Sequence, residues 1–109
     1  MGRIAVFFGE GYEEIEALTV VDICRRAELE VQMVSVNGQQ VVNGSHGIGV
    51  RMDMLFEEVD FDSLDMIVLP GGMPGTKNLE AHQGLMDQVD AFDRAGRYLA
   101  AICAAASIL

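Results

Sequence analysis

Five consecutive apolar residues, Ile4-Ala5-Val6-Phe7-Phe8, stopped by Gly9, constrain this chain more than any other feature. A run this short with no polar face suits a strand covered on both sides, as in a parallel sheet. Three further segments fit the same role. Residues 31–36 read as a strand. Leu64-Asp65-Met66-Ile67-Val68-Leu69 is broken by Pro70-Gly71-Gly72 and then Pro74-Gly75, and residues 97–102 lead directly into Cys103. Helical patterns lie between them. One runs from Gly11 to about Ala27, and another from about Thr76 to Ala95 with an interruption near residues 82–84. In the latter, Leu85, Val89 and Phe92 fall on one side. The turn signals Asn37-Gly38 and Asn43-Gly44-Ser45-His46-Gly47 frame a small β excursion over residues 40–51. Helix-forming residues restart at Cys103.

Strands alternating with helices through short connections predict a doubly wound α/β fold, a three-layer α/β/α sandwich on a mostly parallel sheet. In such folds, sites form beyond the carboxyl ends of the strands. Three loops are thereby expected on one rim, at residues 9–12, at 70–75 and at Cys103. The 109 residues read as a single domain without repeats or linkers. Since a sheet-covering helix usually needs about 10 residues, an end at Leu109 is expected to mark the N-terminal portion of a longer domain.

Composition narrows the partners. Seventeen acidic against seven basic residues give a formal charge of −10, which repels phosphate backbones and anionic lipid. No nucleic acid and no membrane partner is expected. Without a long apolar run or a secretory leader at Met1-Gly2-Arg3-Ile4, a cytoplasmic location is expected. Cys24 and Cys103, the only cysteines, read as reduced thiols. No nucleotide or metal motif appears, and neither His46 nor His82 has ligand spacing around it, so neither cofactor nor metal is expected.

The chemistry gathers at the rim. A cysteine on a strand-to-helix turn sits among unpaired amides at the positive end of a helix dipole, which favours the thiolate. The string Ala101-Ile102-Cys103-Ala104-Ala105 resembles such an elbow, though a small core cysteine is the plain alternative. At 100° per residue, Ala17, Val20, Val21, Ile23, Cys24 and Ala27 form one apolar arc on the first helix. Glu14 lies outside this arc and Glu16 within it. A carboxyl facing a core must be paired or carry a proton, which suits an acid or base beside a thiol. Glu13 and Glu14 read simply as negative charge favoured in a helix's first turn. Gly71 and Gly72 could leave their amides pointing into the rim, where with that of Ala104 they could hold an oxyanion. A plain turn is the commoner use of Pro-Gly-Gly.

Taken together, Gly11-Tyr12-Glu13-Glu14-Ile15-Glu16, Leu69-Pro70-Gly71-Gly72 and Ala100-Ala101-Ile102-Cys103-Ala104 resemble the DJ-1/ThiJ/PfpI superfamily, in particular its DJ-1 and YajL-like branch. The resemblance covers the whole chain. It implies a flavodoxin-like sandwich of the class I glutamine amidotransferase type and usually a homodimer. Cys103 would be the reactive, oxidation-sensitive cysteine, Glu16 its protonated partner, and Gly72 and Ala104 the source of nearby amides. Arg26 matches a family arginine on the first helix. His46 replaces an arginine near the pocket, and Ala106 replaces a frequent proline. The family's pocket histidine comes from a part beyond residue 109, which a complementing fragment or chain would supply.

The activities implied are those of a glutathione-independent glyoxalase or deglycase acting on small α-oxoaldehydes or their adducts; an older label is thiazole monophosphate biosynthesis. A second reading makes the same cysteine an oxidative-stress sensor or the switch of a redox-regulated chaperone. A third, a cysteine hydrolase or amidotransferase, lacks the Gly-x-Cys-x-Gly flanks.

Overall fold

A computed structural model describes residues 2–108, except for the side chain of Ala104. In chain order the elements are β1 (Arg3–Phe8), α1 (Glu14–Arg26), β2 (Glu30–Ser35), β3 (Val41–Asn43), β4 (Gly49–Arg51) and β5 (Met54–Leu55). After two single 3₁₀ turns come β6 (Met66–Leu69), α2 (Gly75–Glu80), α3 (Gln83–Arg94) and β7 (Tyr98–Ala101). A 3₁₀ segment, Cys103–Ile108, closes the chain where the sequence predicts an ordinary helix.

The main sheet has the order β5-β2-β1-β6-β7 and is parallel throughout. β1 lies at its centre, with Ile4 opposite Val31 on one side and Met66 on the other. Its unbroken apolar run has the expected cause. Ala5 and Phe7 enter one core with Val34, Ile67, Leu69, Leu79, Leu85, Val89 and Phe92, while Ile4, Val6 and Phe8 enter a second with Ala17, Val21, Val31 and Val42. Successive side chains of a strand point to opposite faces, so a doubly covered strand has no place for a polar residue. Burying each phenylalanine contributes about 2–3 kcal/mol. Phe7 also stacks on Phe61, with ring centroids 5.8 Å apart. Phe7→Ala would cost about 3–5 kcal/mol.

The structure changes two details of the sequence reading. The β excursion divides: β3 and β4 pair antiparallel as a separate two-stranded ribbon, whereas β5 joins the main sheet beside Val34 and Ser35. The apolar arc of α1 is also narrower than its periodicity indicates. Ala17 and Val21 are buried, but Ile23 is 59% exposed and Ala27 lies at the surface. No helix among the described residues is long and apolar enough to cross a membrane.

Candidate functional site

All five sheet strands run the same way, so the loops after β1, β6 and β7 share one rim. Three backbone hydrogen bonds fasten it: Glu13 N to Gly71 O at 2.9 Å, Ile102 N to Leu69 O at 3.0 Å, and Gly75 N to Gly11 O at 3.2 Å. The start of α1 is thereby tied to the end of β6. α1 is capped by Glu13, whose Oε1 accepts from Ile15 N at 2.8 Å and satisfies one of the amides left open at a helix start.

Glu16 lies in the first turn of the helix, half-buried, and its Oε1 accepts from Gly71 N at 3.2 Å. Gly71 explains how closely the site is assembled. A Cβ placed on it would lie 2.5 Å from Glu16 Oε1, 2.8 Å from Ile102 O and 2.9 Å from Cys103 Cβ. The carboxyl of residue 16 and the carbon that carries the sulfur thus flank a single point, which only a glycine leaves open. Gly72 has φ +103°, and a Cβ there would fall 2.4 Å from Glu13 N. Both the left-handed backbone and the close approach require glycine at position 72.

Cys103 is exposed and has φ +52°, a left-handed conformation that costs a non-glycine residue about 1–2 kcal/mol. Such strain persists only where the surroundings impose it, and here it falls in the turn that follows β7. Ala104 is the next residue of that turn.

The other residues singled out in the sequence lie elsewhere. Arg26 is at the far end of α1, exposed, with its Nε 3.1 Å from both carboxylate oxygens of Asp22. His46 meets Glu14 rather than Glu16: its Nδ1 is 2.8 Å from Glu14 Oε1. Glu14, which helical periodicity places outside the apolar arc, is only 4% exposed. Its Oε2 accepts from His46 N at 2.9 Å and Ile48 N at 3.3 Å. Burial by itself raises its pKa, but the His46 ring and these amides outweigh burial and hold it at about 2. In return, the hydrogen bond and charge of Glu14, with a smaller contribution from Glu13, raise the pKa of His46. Sequence reasoning missed this pair because the partners are 32 residues apart. The available signal was Gly44, whose missing Cβ makes room for the Glu14 carboxylate.

A cavity of about 290 Å³ opens on the same rim, lined by Glu10, Val36, Asn37, Asn78, Ala81 and His82; neither Glu16 nor Cys103 lines it.

Comparison with known proteins places this rim in a family. Protein DJ-1 homolog B of Arabidopsis thaliana is 34% identical over 106 residues, covering 97% of this chain and 24% of that protein. A deglycase of Thermococcus kodakarensis is 31% identical over 70 residues, 64% of this chain and 42% of that protein. The structure of oxidized Toxoplasma gondii DJ-1 superposes with a TM-score of 0.95 at 33% identity, covering all of this chain and 59% of the other. The chain thus spans less than two thirds of each of these relatives. The DJ-1/PfpI family model matches residues 2–109, and the chain belongs to that family.

Proposed function

We propose that Cys103 and Glu16 act together on small α-oxoaldehydes or their adducts, in the manner of a glyoxalase or deglycase. The observation that carries this reading is their approach from two sides to the empty Cβ position of Gly71. The deglycase among the relatives supports it. With methylglyoxal, the Cys103 thiolate adds to the aldehyde carbon, forming a C–S bond while the carbonyl oxygen takes a proton. Glu16 removes the proton from that carbon and a proton returns at the neighbouring carbon. The aldehyde carbon is thereby oxidised and the ketone carbon reduced, leaving a lactoyl thioester. Water then releases lactate and restores the thiol. Because Gly71 N is engaged by Glu16, the developing oxyanion falls to the amides of Gly72 and Ala104.

The test is lactate formation from methylglyoxal by the full-length protein and by its Cys103→Ser form. A loss of about a hundredfold or more is expected; equal rates would overturn the reading.

The exposed Cys103, and the oxidized state of the Toxoplasma gondii neighbour, favour a second reading in which the sulfur is a redox sensor. Mass spectrometry after mild peroxide separates the two. A stable two-oxygen adduct at Cys103 in a protein without turnover supports sensing. A homodimer belongs to the same proposal, supported by the exposed Ile15 and Ile23 on α1, and is checked by sedimentation.

A further inference from the structure

We infer that the cavity lined by Glu10, Asn37, Asn78 and His82 is a binding site for a small organic cation, an alkylguanidinium or alkylammonium group whose N–H donors meet Glu10 and Asn78. The cavity, about 290 Å³, lies beyond the carboxyl ends of two neighbouring strands. Glu10 follows β1, Val36 and Asn37 follow β2, and Phe8 pairs with Ser35 where those strands end. Open α/β sheets take their ligands in such places. Asn78, Ala81 and His82, spaced i, i+3 and i+4 through the end of α2, supply the rest of the wall.

The acceptors in this wall are held through one atom and left open at another. Glu10 Oε1 accepts from Asn37 Nδ2 at 2.8 Å and from Asn43 N at 3.3 Å, while no donor among the described residues reaches Oε2. Asn78 Nδ2 donates to the carbonyl of Glu10 at 2.7 Å, which leaves its Oδ1 unengaged among the described residues. The partners fix these orientations, because a carboxylate and a carbonyl only accept. Two neighbouring acceptors, one of them charged, match the N–H donors of an organic cation. Val36 and Ala81 line the same space and suit its carbon stem.

Charge decides the sign of the ligand. Burial by itself raises the pKa of Glu10, but hydrogen bonds from Asn43 and Asn37 outweigh burial and lower it, so the carboxyl is held as an anion. No lysine or arginine lines the cavity, and no ion pair among the described residues involves Glu10. A chain of net charge −10 draws cations and repels anions. The start of α3 would favour an anion, but His82 itself caps it, its Nδ1 accepting from Leu85 N at 3.0 Å. Neither Cys103 nor Glu16 lines the cavity, so the inference stands apart from any turnover of methylglyoxal.

The experiment is an NMR titration of the full-length protein with n-butylguanidinium, with n-butylammonium and with n-butylurea, the neutral isostere of the first. Saturable shifts of the backbone amides of Asn37, Asn78 and His82 and of the two asparagine side-chain NH₂ groups are expected with at least one cation. Butylurea should bind about tenfold or more weakly, a comparison that needs no variant. Glu10→Gln should weaken cation binding by a similar factor. Its amide oxygen can still accept from Asn37 and Asn43, and the dispersion of the same spectra checks that the fold is kept. No saturable shift with either cation, equal binding of butylurea, undiminished binding by a folded Glu10→Gln protein, or shifts confined to other acidic surfaces would each overturn the inference.

Discussion

Glu14 and Glu16 are the same residue type two positions apart on α1, and each is docked against a glycine from a distant loop. Glu14 meets Gly44 and is closed in by three donors, the ring Nδ1 and backbone N of His46 and the backbone N of Ile48. Glu16 meets Gly71, accepts from one amide, and stays half-buried beside Cys103. A carboxylate surrounded by donors is held in its charged form and cannot readily exchange a proton. Glu16, with a single amide on its carboxyl and Cys103 beside it, is the one proposed to act on substrate. The difference teaches that accessibility and the number of donors, rather than residue type or helix position, separate a carboxylate fixed as an anchor from one left open to a neighbour.

The sharpest test of this contrast is Glu16→Gln. It removes the proposed proton-transfer group and keeps an acceptor for Gly71 N, so on that proposal kcat/KM for methylglyoxal should fall about a hundredfold. Urea unfolding should move by less than about 1 kcal/mol. A variant of full activity would place proton transfer elsewhere.

Gly44→Ala tests the anchor. The added methyl collides with the Glu14 carboxylate, and overpacking of this kind costs about 2 kcal/mol. An unchanged urea midpoint would mean that the loop is not held closed on Glu14.

Smaller again is Glu14→Gln, whose amide NH₂ must face either the His46 ring or the two backbone amides. Thermal unfolding should drop by roughly 5 °C. The comparison fails if the same change at Glu16 lowers the midpoint equally.

Least in size is the pH dependence of stability. Glu14 is lowered from 4.5 to about 2 on folding, so its contribution is present above about pH 4.5 and lost as pH falls toward 2. His46 is raised above 6.5, so its contribution is complete below pH 6.5 and lost as pH rises through its folded value. His46→Gln should flatten the upper limb and leave a lower limb from Glu14. An upper limb unchanged in that variant would assign the titration to another group.

Much of the rim was legible because its signals are local. The apolar run of β1 and the Pro-Gly-Gly stop after β6 follow from short-range pattern. The left-handed Cys103 was only half legible: a tight turn was expected there, yet its neighbours are alanines rather than glycines. β5 was not legible at all, since two residues carry no period and Met54 and Leu55 become a strand only by pairing with Val34 and Ser35.

By itself, the sequence determined the alternation of strands and helices, the doubly covered central strand, and the gathering of residues 16, 71 and 103 on one rim. Hydrophobic periodicity is written into consecutive residues and acts through burial, which has no direction. Tertiary structure alone decided that Glu14 is buried against His46, that Arg26 lies away from the rim, and that Ile23 faces outward. A polar side chain's fate depends on directional hydrogen bonds to partners tens of residues away, and no local pattern encodes where those partners will be.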